Sequence, residues 1–178
     1  MISAVILQMW CVTGLLAIAI LAIALSRSKM STAVVYSTTL AICMAALLGS
    51  TYWLIGGKAN ASEMILPIGL PWLGAHFRLD VLASFFLVVV NLGGASASLY
   101  GLGYGHHEAA PHRVLPFFPA FLAGMNLVVL ADDAFSYLVC WEFMSLASWA
   151  LVMARHREAG TARAGYIYLL MASFGTLA

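Results

Sequence analysis

Five stretches of this sequence, 4–25, 33–55, 81–104, 114–131 and 134–153, each run for about 20 residues with almost no charge. Four hold no Asp, Glu, Lys or Arg, and the fifth holds one, Glu142. Backbone polar groups in hydrocarbon must be satisfied within their own segment, so runs of this length fold as helices crossing an apolar layer roughly 30 Å thick. The expected fold class is all-α, a polytopic transmembrane helical protein. A sixth run starts near Ala164 and is still apolar at Ala178. At about 1.5 Å per residue it reaches only some 22 Å, short of that thickness. The sequence therefore predicts five complete helices plus the start of a sixth, in a chain that stops inside a helix.

The first run is too long for a signal-peptide core of about 7–15 residues, and no Lys or Arg precedes it, so it is expected to stay as a spanning helix. Composition agrees: 63% of residues are hydrophobic and 8% charged, against roughly 25% charged in a soluble domain. A formal charge of +1 gives no global pull on a polyanion, which excludes nucleic acid as a partner. Cys11, Cys43 and Cys140 fall in separate apolar runs at no ligand spacing and read as packing residues.

Basic residues set the expected orientation. With the N-terminus outside, the inner loops carry Arg27, Lys29, Arg113, Arg155, Arg157 and Arg163, and the outer loops only Lys58 and Arg78. In a bacterium this is a multi-pass inner-membrane protein with a periplasmic N-terminus. Residues 1–178 form a single membrane domain, in which 1–113 hold the first three helices and an outer loop at 56–78. That loop contains Pro67, Gly69, Pro71 and Gly74, which break a helix, so a turn or short hairpin on the outer surface is expected. Trp72 and Phe77 suit an interfacial aromatic belt, as do Tyr166 and Tyr168 at the inner side.

In the third run Gly93, Ala97 and Gly101 recur at i, i+4 and i+8, with Gly94 and Ser98 beside them. Small residues at this spacing allow close helix approach in lipid, so they mark a helix-packing face. The "GLGYG" that follows ends a membrane helix with no strand before it, and does not read as a phosphate loop.

Chemistry concentrates on the fifth run. Glu142 lies eight residues past Ala134, about 12 Å along a helix axis and near mid-bilayer, where an ionisable group costs on the order of 2.5–3.5 kcal/mol. Ser145 and Trp149 follow at i+3 and i+7, and Ser148 shares the adjoining stripe with Trp141 and Ser145. The bland reading is a protonated packing residue bonded to a serine or carbonyl. The functional reading is a carboxyl that takes up or releases a proton according to where a cationic partner stands. No Lys or Arg lies within the apolar runs, so such a partner is expected beyond Ala178 or in another subunit.

Asp132 and Asp133 link the fourth and fifth runs. Asp133 is placed to cap the fifth helix, and both are candidate points of proton uptake or release. His106 and His107, with Glu108 and His112 close by, are further candidates on the opposite side. Their spacing matches no metal-ligand pattern, and no metal site is expected.

The segments "FRLDVLASFFLVVVNLGG", "LPFFPAFLAGMNLVVLADDAFSYLVCWEFMSLASWALVM" and "ARAGYIYLLMASFGTLA" together resemble the N-terminal part of one protein family. It is the antiporter-like subunits of respiratory complex I, of hydrogenase-4 and formate hydrogenlyase complexes (component B and the large membrane subunit), and of Mrp-type cation/proton antiporters. The likeness runs from about Leu66 to Ala178, and "WEFMSLASW" is its specific part. It implies that Glu142 matches the glutamate which, in the family, pairs with a lysine on a later broken helix, with Trp141 and Ser145 matching its surroundings. It implies a fold of about fourteen helices with two inverted repeats, of which residues 114–178 are the truncated start of the first.

The implied activity is proton translocation coupled to electron transfer in a hydrogenase or NADH:quinone-oxidoreductase-type complex. The chain itself would be a non-redox subunit without a catalytic centre or cofactor. Iron–sulfur, nickel–iron or quinone sites are expected in partners, namely other membrane subunits and a peripheral redox arm. An Mrp-type antiporter subunit and a non-conducting membrane anchor are the alternative readings.

Overall fold

A computed structural model describes residues 3–25, 30–56, 61–69, 74–105, 111–156 and 160–177. The chain runs through helices α1 (Ala4–Ala24) and α2 (Ser31–Ile55), strands β1 (Ser62–Leu66) and β2 (Ala75–Leu79), and helices α3 (Val81–Tyr104), α4 (Phe117–Leu130), α5 (Ala134–Met153) and α6 (Thr161–Leu177). A 3-10 turn at Pro111–Arg113 precedes α4. Among the described residues, five helical segments are long and apolar enough to cross a membrane. This is a multi-pass membrane fold, as the apolar runs predict.

The helices pack as a bundle in which α2 lies along α3, α4 along α5, and α1 against both α2 and α4, while α6 rests on α5. Three apolar clusters stack down its length. The one under the hairpin joins Val5, Phe77, Leu79, Leu87, Leu130 and Cys140. The middle one is built on Val12, Leu15, Cys43, Ala95, Leu122 and Ala123, and the far one on Ala22, Val35 and Leu115.

The expected hairpin forms. β1 and β2 pair antiparallel with Met64 opposite Phe77, and Gly69 and Gly74 between them take positive φ (93° and 70°), a conformation cheap only for glycine. Phe77 departs from expectation: it is 4% exposed and sits in the core rather than in an interfacial belt. The hairpin folds back over the bundle end, where Phe77 bridges to Ala131 and the Asp132 N–H donates to the His76 carbonyl at 2.9 Å. Trp72 lies outside the described residues.

α4 also differs, since only 14 residues of the 114–131 window are α-helical. Proline disfavours helical geometry in the residue before it and lacks an N–H, so Pro116 fixes the start, while Pro119 is tolerated in the first turn where its N–H would be orphaned anyway. α6 begins at Thr161, three residues before the expected Ala164.

The third helix turns a different face to its neighbours from the one its spacing offered first. Gly93 and Ala97 are exposed, and a Cβ at Gly93 would meet nothing within 4 Å. Packing is carried by Gly94, Ser98 and Gly101. A Cβ at Gly94 would lie 3.1 Å from both Cys43 Sγ and a Leu122 methyl, and one at Gly101 would overlap the Tyr36 ring.

Polar side chains stitch the bundle where lipid offers no alternative. Gln8 of α1, 2% exposed, donates from Nε2 to the Ala46 carbonyl (3.2 Å) and to Ser50 Oγ (3.0 Å) on α2. Asn91 of α3 donates to Asn126 Oδ1 of α4 at 2.7 Å, both residues being buried. Interhelical bonds of this kind average about 0.6 kcal/mol in a membrane protein. Gln8→Leu should therefore cost less than about 1 kcal/mol, because it also removes a buried Oε1 that has no partner and leaves Ser50 bonded to the Ala46 carbonyl. Unfolding titrations in mixed micelles would measure the shift.

Candidate functional site

α5 is started by Asp133, whose Oδ1 accepts from the Ser136 N–H at 2.8 Å, the cap its position predicts. Its Oδ2 accepts from the His76 N–H at 2.9 Å, so one carboxylate holds both the start of α5 and strand β2. Desolvation opposes the charge, but hydrogen bonding to Ser136 and to the His76 N–H, with the His76 ring nearby, outweighs it and holds the acid below its ordinary value of 3.8. A depressed folded-state pKa means that the stabilisation is complete above the unfolded value and is lost as pH falls through the folded one. Amide exchange at His76 and Ser136 is therefore expected to accelerate, relative to intrinsic rates, below about pH 4. Asp133→Ala should remove that acid sensitivity and cost about 1 kcal/mol.

Asp132 is tied differently. Arg78 Nε lies 3.2 Å from its Oδ1, and Arg78 also reaches Asp80 at 3.5 Å, all three side chains being 30–43% exposed. These groups, with Phe86 and Tyr137, line a cavity of about 460 Å³ at the hairpin end of α3, α4 and α5.

Further along α5, Glu142 is half-buried, Ser145 is buried at 4%, Ser148 is half-buried and Trp141 is 37% exposed. Trp141 and Ser145 line a groove of about 510 Å³ between α5 and α6, completed by Tyr137, Tyr168, Met171 and Gly175. Close approach makes this face: Met153 packs directly on Gly165 of α6, and a Cβ at Gly124 of α4 would come within 2.9 Å of Met144 Cα.

At about 100° per residue, Glu142 sits between two grooves. On one side lies the α6 groove with Trp141 and Ser145. On the other lies an apolar groove that includes Phe143, Leu146 and Ala150 of α5. By helical position Glu142 lies opposite the face that meets α4, where Met144 packs on Gly124, while Trp149, seven residues further on the same strip, comes close to Gly165 of α6. Ser145 and Trp141 share a cavity with each other, as their spacing implies, while Glu142 flanks it.

Tyr137 was not singled out by sequence, yet it lines both the cavity at Asp132 and the groove at Ser145, and its ring stacks on Trp141 at 5.8 Å. Only its i, i+4 spacing from Trp141 signals this in the sequence. His106 and His107 lie outside the described residues.

No protein-family profile matches the chain. Individual proteins do. It is 35% identical over 102 residues to hydrogenase-4 component B of Escherichia coli, an alignment covering 56% of this chain and 15% of that protein. It is 28% identical over 130 residues to NADH-quinone oxidoreductase subunit L of Mycobacterium tuberculosis, covering 63% of this chain and 20% of the relative. It is also 28% identical over 167 residues to a Staphylococcus aureus protein named as antiporter subunit mnhA2, covering 89% and 20%. The chain thus spans about a fifth or less of the length of the curated relatives it matches. These partial relatives all stand in the antiporter-like family of complex I, and over the stretch it shares with them this chain is similar to that family.

Proposed function

We propose that this chain is part of a proton-translocating, antiporter-like membrane subunit of a hydrogenase or NADH:quinone-oxidoreductase-type complex, with Glu142 as the group that holds the proton. The observation that carries the reading is a single half-buried carboxyl near the middle of an otherwise uncharged spanning helix. A carboxyl there is costly, and its protonation state responds strongly to any charge brought near it. Trp141, Ser145 and Ser148 would shape its surroundings, and Asp132 and Asp133 stand at the hairpin-side mouth. The mechanism is a switch: a cationic partner stabilises the carboxylate, a proton takes its place when the partner withdraws, and that proton is passed on when the partner returns. Electron transfer would belong to neighbouring subunits, which hold the redox cofactors, and the membrane would be the bacterial inner membrane with a periplasmic N-terminus.

A second reading is a stand-alone cation/proton antiporter subunit. The alignment to the protein named as antiporter subunit mnhA2 favours it, because that alignment covers more of this chain than the one to hydrogenase-4 component B. Everted vesicles from cells with and without the complete protein separate the two. Proton uptake driven by formate, hydrogen or NADH, present only with the protein, is the expected result. Uptake or release triggered by Na⁺ or K⁺ alone would replace it with the antiporter reading. No protein-dependent proton movement under either condition would overturn both and leave a membrane anchor.

A further inference from the structure

At the end of the bundle opposite the hairpin, α1, α4 and α5 leave an open groove of about 610 Å³, within the roughly 300–1,000 Å³ of ligand sites. Its walls include Leu16 and Ile23 of α1, Phe117 of α4, and Phe143, Trp149 and Ala150 of α5. No wall residue is charged. From Leu16 to Ile23, and from Phe143 to Ala150, the groove follows seven residues of helix, about 10 Å and so most of one leaflet's apolar depth.

The mouth of this groove is cationic. Arg113 stands in the 3-10 turn just before Pro116, which itself lines the groove. Its Nη1 lies 3.2 Å from Nδ1 of His156, the residue that follows Arg155 beyond the end of α5, so the pair closes the gap between the start of α4 and the end of α5. Arg155 is exposed beside them. The described acids lie elsewhere: Glu63, Asp80, Asp132 and Asp133 at the hairpin end, and Glu142 midway along α5.

A dry slot of leaflet depth with the Arg113 guanidinium beside its inner end, where the start of α4 meets the end of α5, complements one kind of molecule. We infer that the groove between α1, α4 and α5 binds an anionic phospholipid, one acyl chain lying along Leu16, Ile23, Phe143 and Ala150 and the phosphate held by Arg113. The aliphatic stem of Arg113 can follow the apolar wall while its head reaches the phosphate plane, and a guanidinium suits the planar, charge-assisted recognition of a phosphate. Trp149 reports occupancy, since it lines the groove. The inference is independent of proton transport.

The test uses the complete protein in vesicles of phosphatidylcholine containing increasing fractions of acyl-brominated phosphatidylglycerol, or of acyl-brominated phosphatidylcholine. The Trp149 signal is obtained as the difference from Trp149→Phe. Saturable quenching is expected at a mole fraction about fivefold lower for the brominated anionic lipid, the preference that one arginine near a membrane surface supplies. Arg113→Gln should bring the two curves together without abolishing quenching, and Ala150→Phe should block quenching by filling the slot. Equal, non-saturating quenching by both lipids would mean bulk lipid only and would overturn the proposal. Absence of Trp149 quenching by either, with the other tryptophans quenched, would mean that protein covers the groove, and would overturn it equally. Should Ala150→Phe fail to fold, the Arg113→Gln comparison decides alone.

Discussion

Vesicles carrying the complete protein with Glu142→Gln are expected to lose protein-dependent proton movement, by roughly a hundredfold or more if proton-transferring side chains in enzymes are the guide. Glutamine keeps the shape and the hydrogen-bonding oxygen of the side chain but cannot ionise. It also relieves the cost of placing an acid in the apolar layer, on the order of 2.5–3.5 kcal/mol, so the variant should insert and unfold no less well than the parent. That pairing of outcomes makes the prediction sharp: transport falls while thermal stability in detergent holds or rises. Glu142→Asp, which retains the acid but retracts it by one methylene, should give an intermediate rate. Undiminished proton movement in Glu142→Gln would remove Glu142 from the mechanism and return it to a packing role. If transport and stability fall together, the loss is one of folding and the assignment is also unsupported.

The second large effect is expected at Gly124. There α4 approaches α5 so closely that a Cβ would stand 2.9 Å from both Cα and Cβ of Met144 and 3.2 Å from its backbone nitrogen. Backbone cannot swing aside as a side-chain tip does, so Gly124→Leu must push the two helices apart, at a cost of about 1–3 kcal/mol or more. Gly124→Ala should act in the same direction and by less. Because Met144 is two residues from Glu142, the displaced segment includes the candidate site, and transport should fall along with the unfolding temperature. An unchanged unfolding temperature for Gly124→Leu would show that α4 and α5 do not meet along this line.

What was legible in the sequence, and what was not, follows from the physics of each signal. Spanning helices announce themselves because about twenty uncharged residues have no other stable form in lipid, and α1, α2, α3 and α5 match their windows to within two residues at either end. The Asp133 cap was readable because it depends on local geometry alone. The packing face of α3 was not. Spacing presents Gly93–Ala97–Gly101 and Gly94–Ser98–Gly101 equally, and only the positions of Tyr36, Cys43 and Leu122 on neighbouring helices choose the second. Phe77 reads as a belt residue because nothing local says that the hairpin folds inward over Val5 and Leu130.

Gln8, Asn91 and Asn126 carry the same signal as Glu142, a polar group in an apolar run, but a weaker one, since they have no charge. The structure turns each of them into an interhelical tie. At the candidate site, the grouping of Trp141 with Ser145 was legible from their spacing. The involvement of Tyr137, which lines both cavities, needed the helices in place.

The two hydrogen bonds that Asp133 accepts, from Ser136 and from strand β2, also set an order of events during biosynthesis. His76 leaves the ribosome 57 residues before Asp133, a delay of roughly 3–11 s at 5–20 residues per second. For that interval the hairpin strands exist with this fastening still unmade. It can be sealed only once α4 and α5 have been threaded through in the correct directions, because a helix inserted the wrong way round would leave Asp133 on the far side. The fastening of the hairpin is thus conditional on topology: only a chain whose α4 and α5 run in the observed directions can make both hydrogen bonds of Asp133.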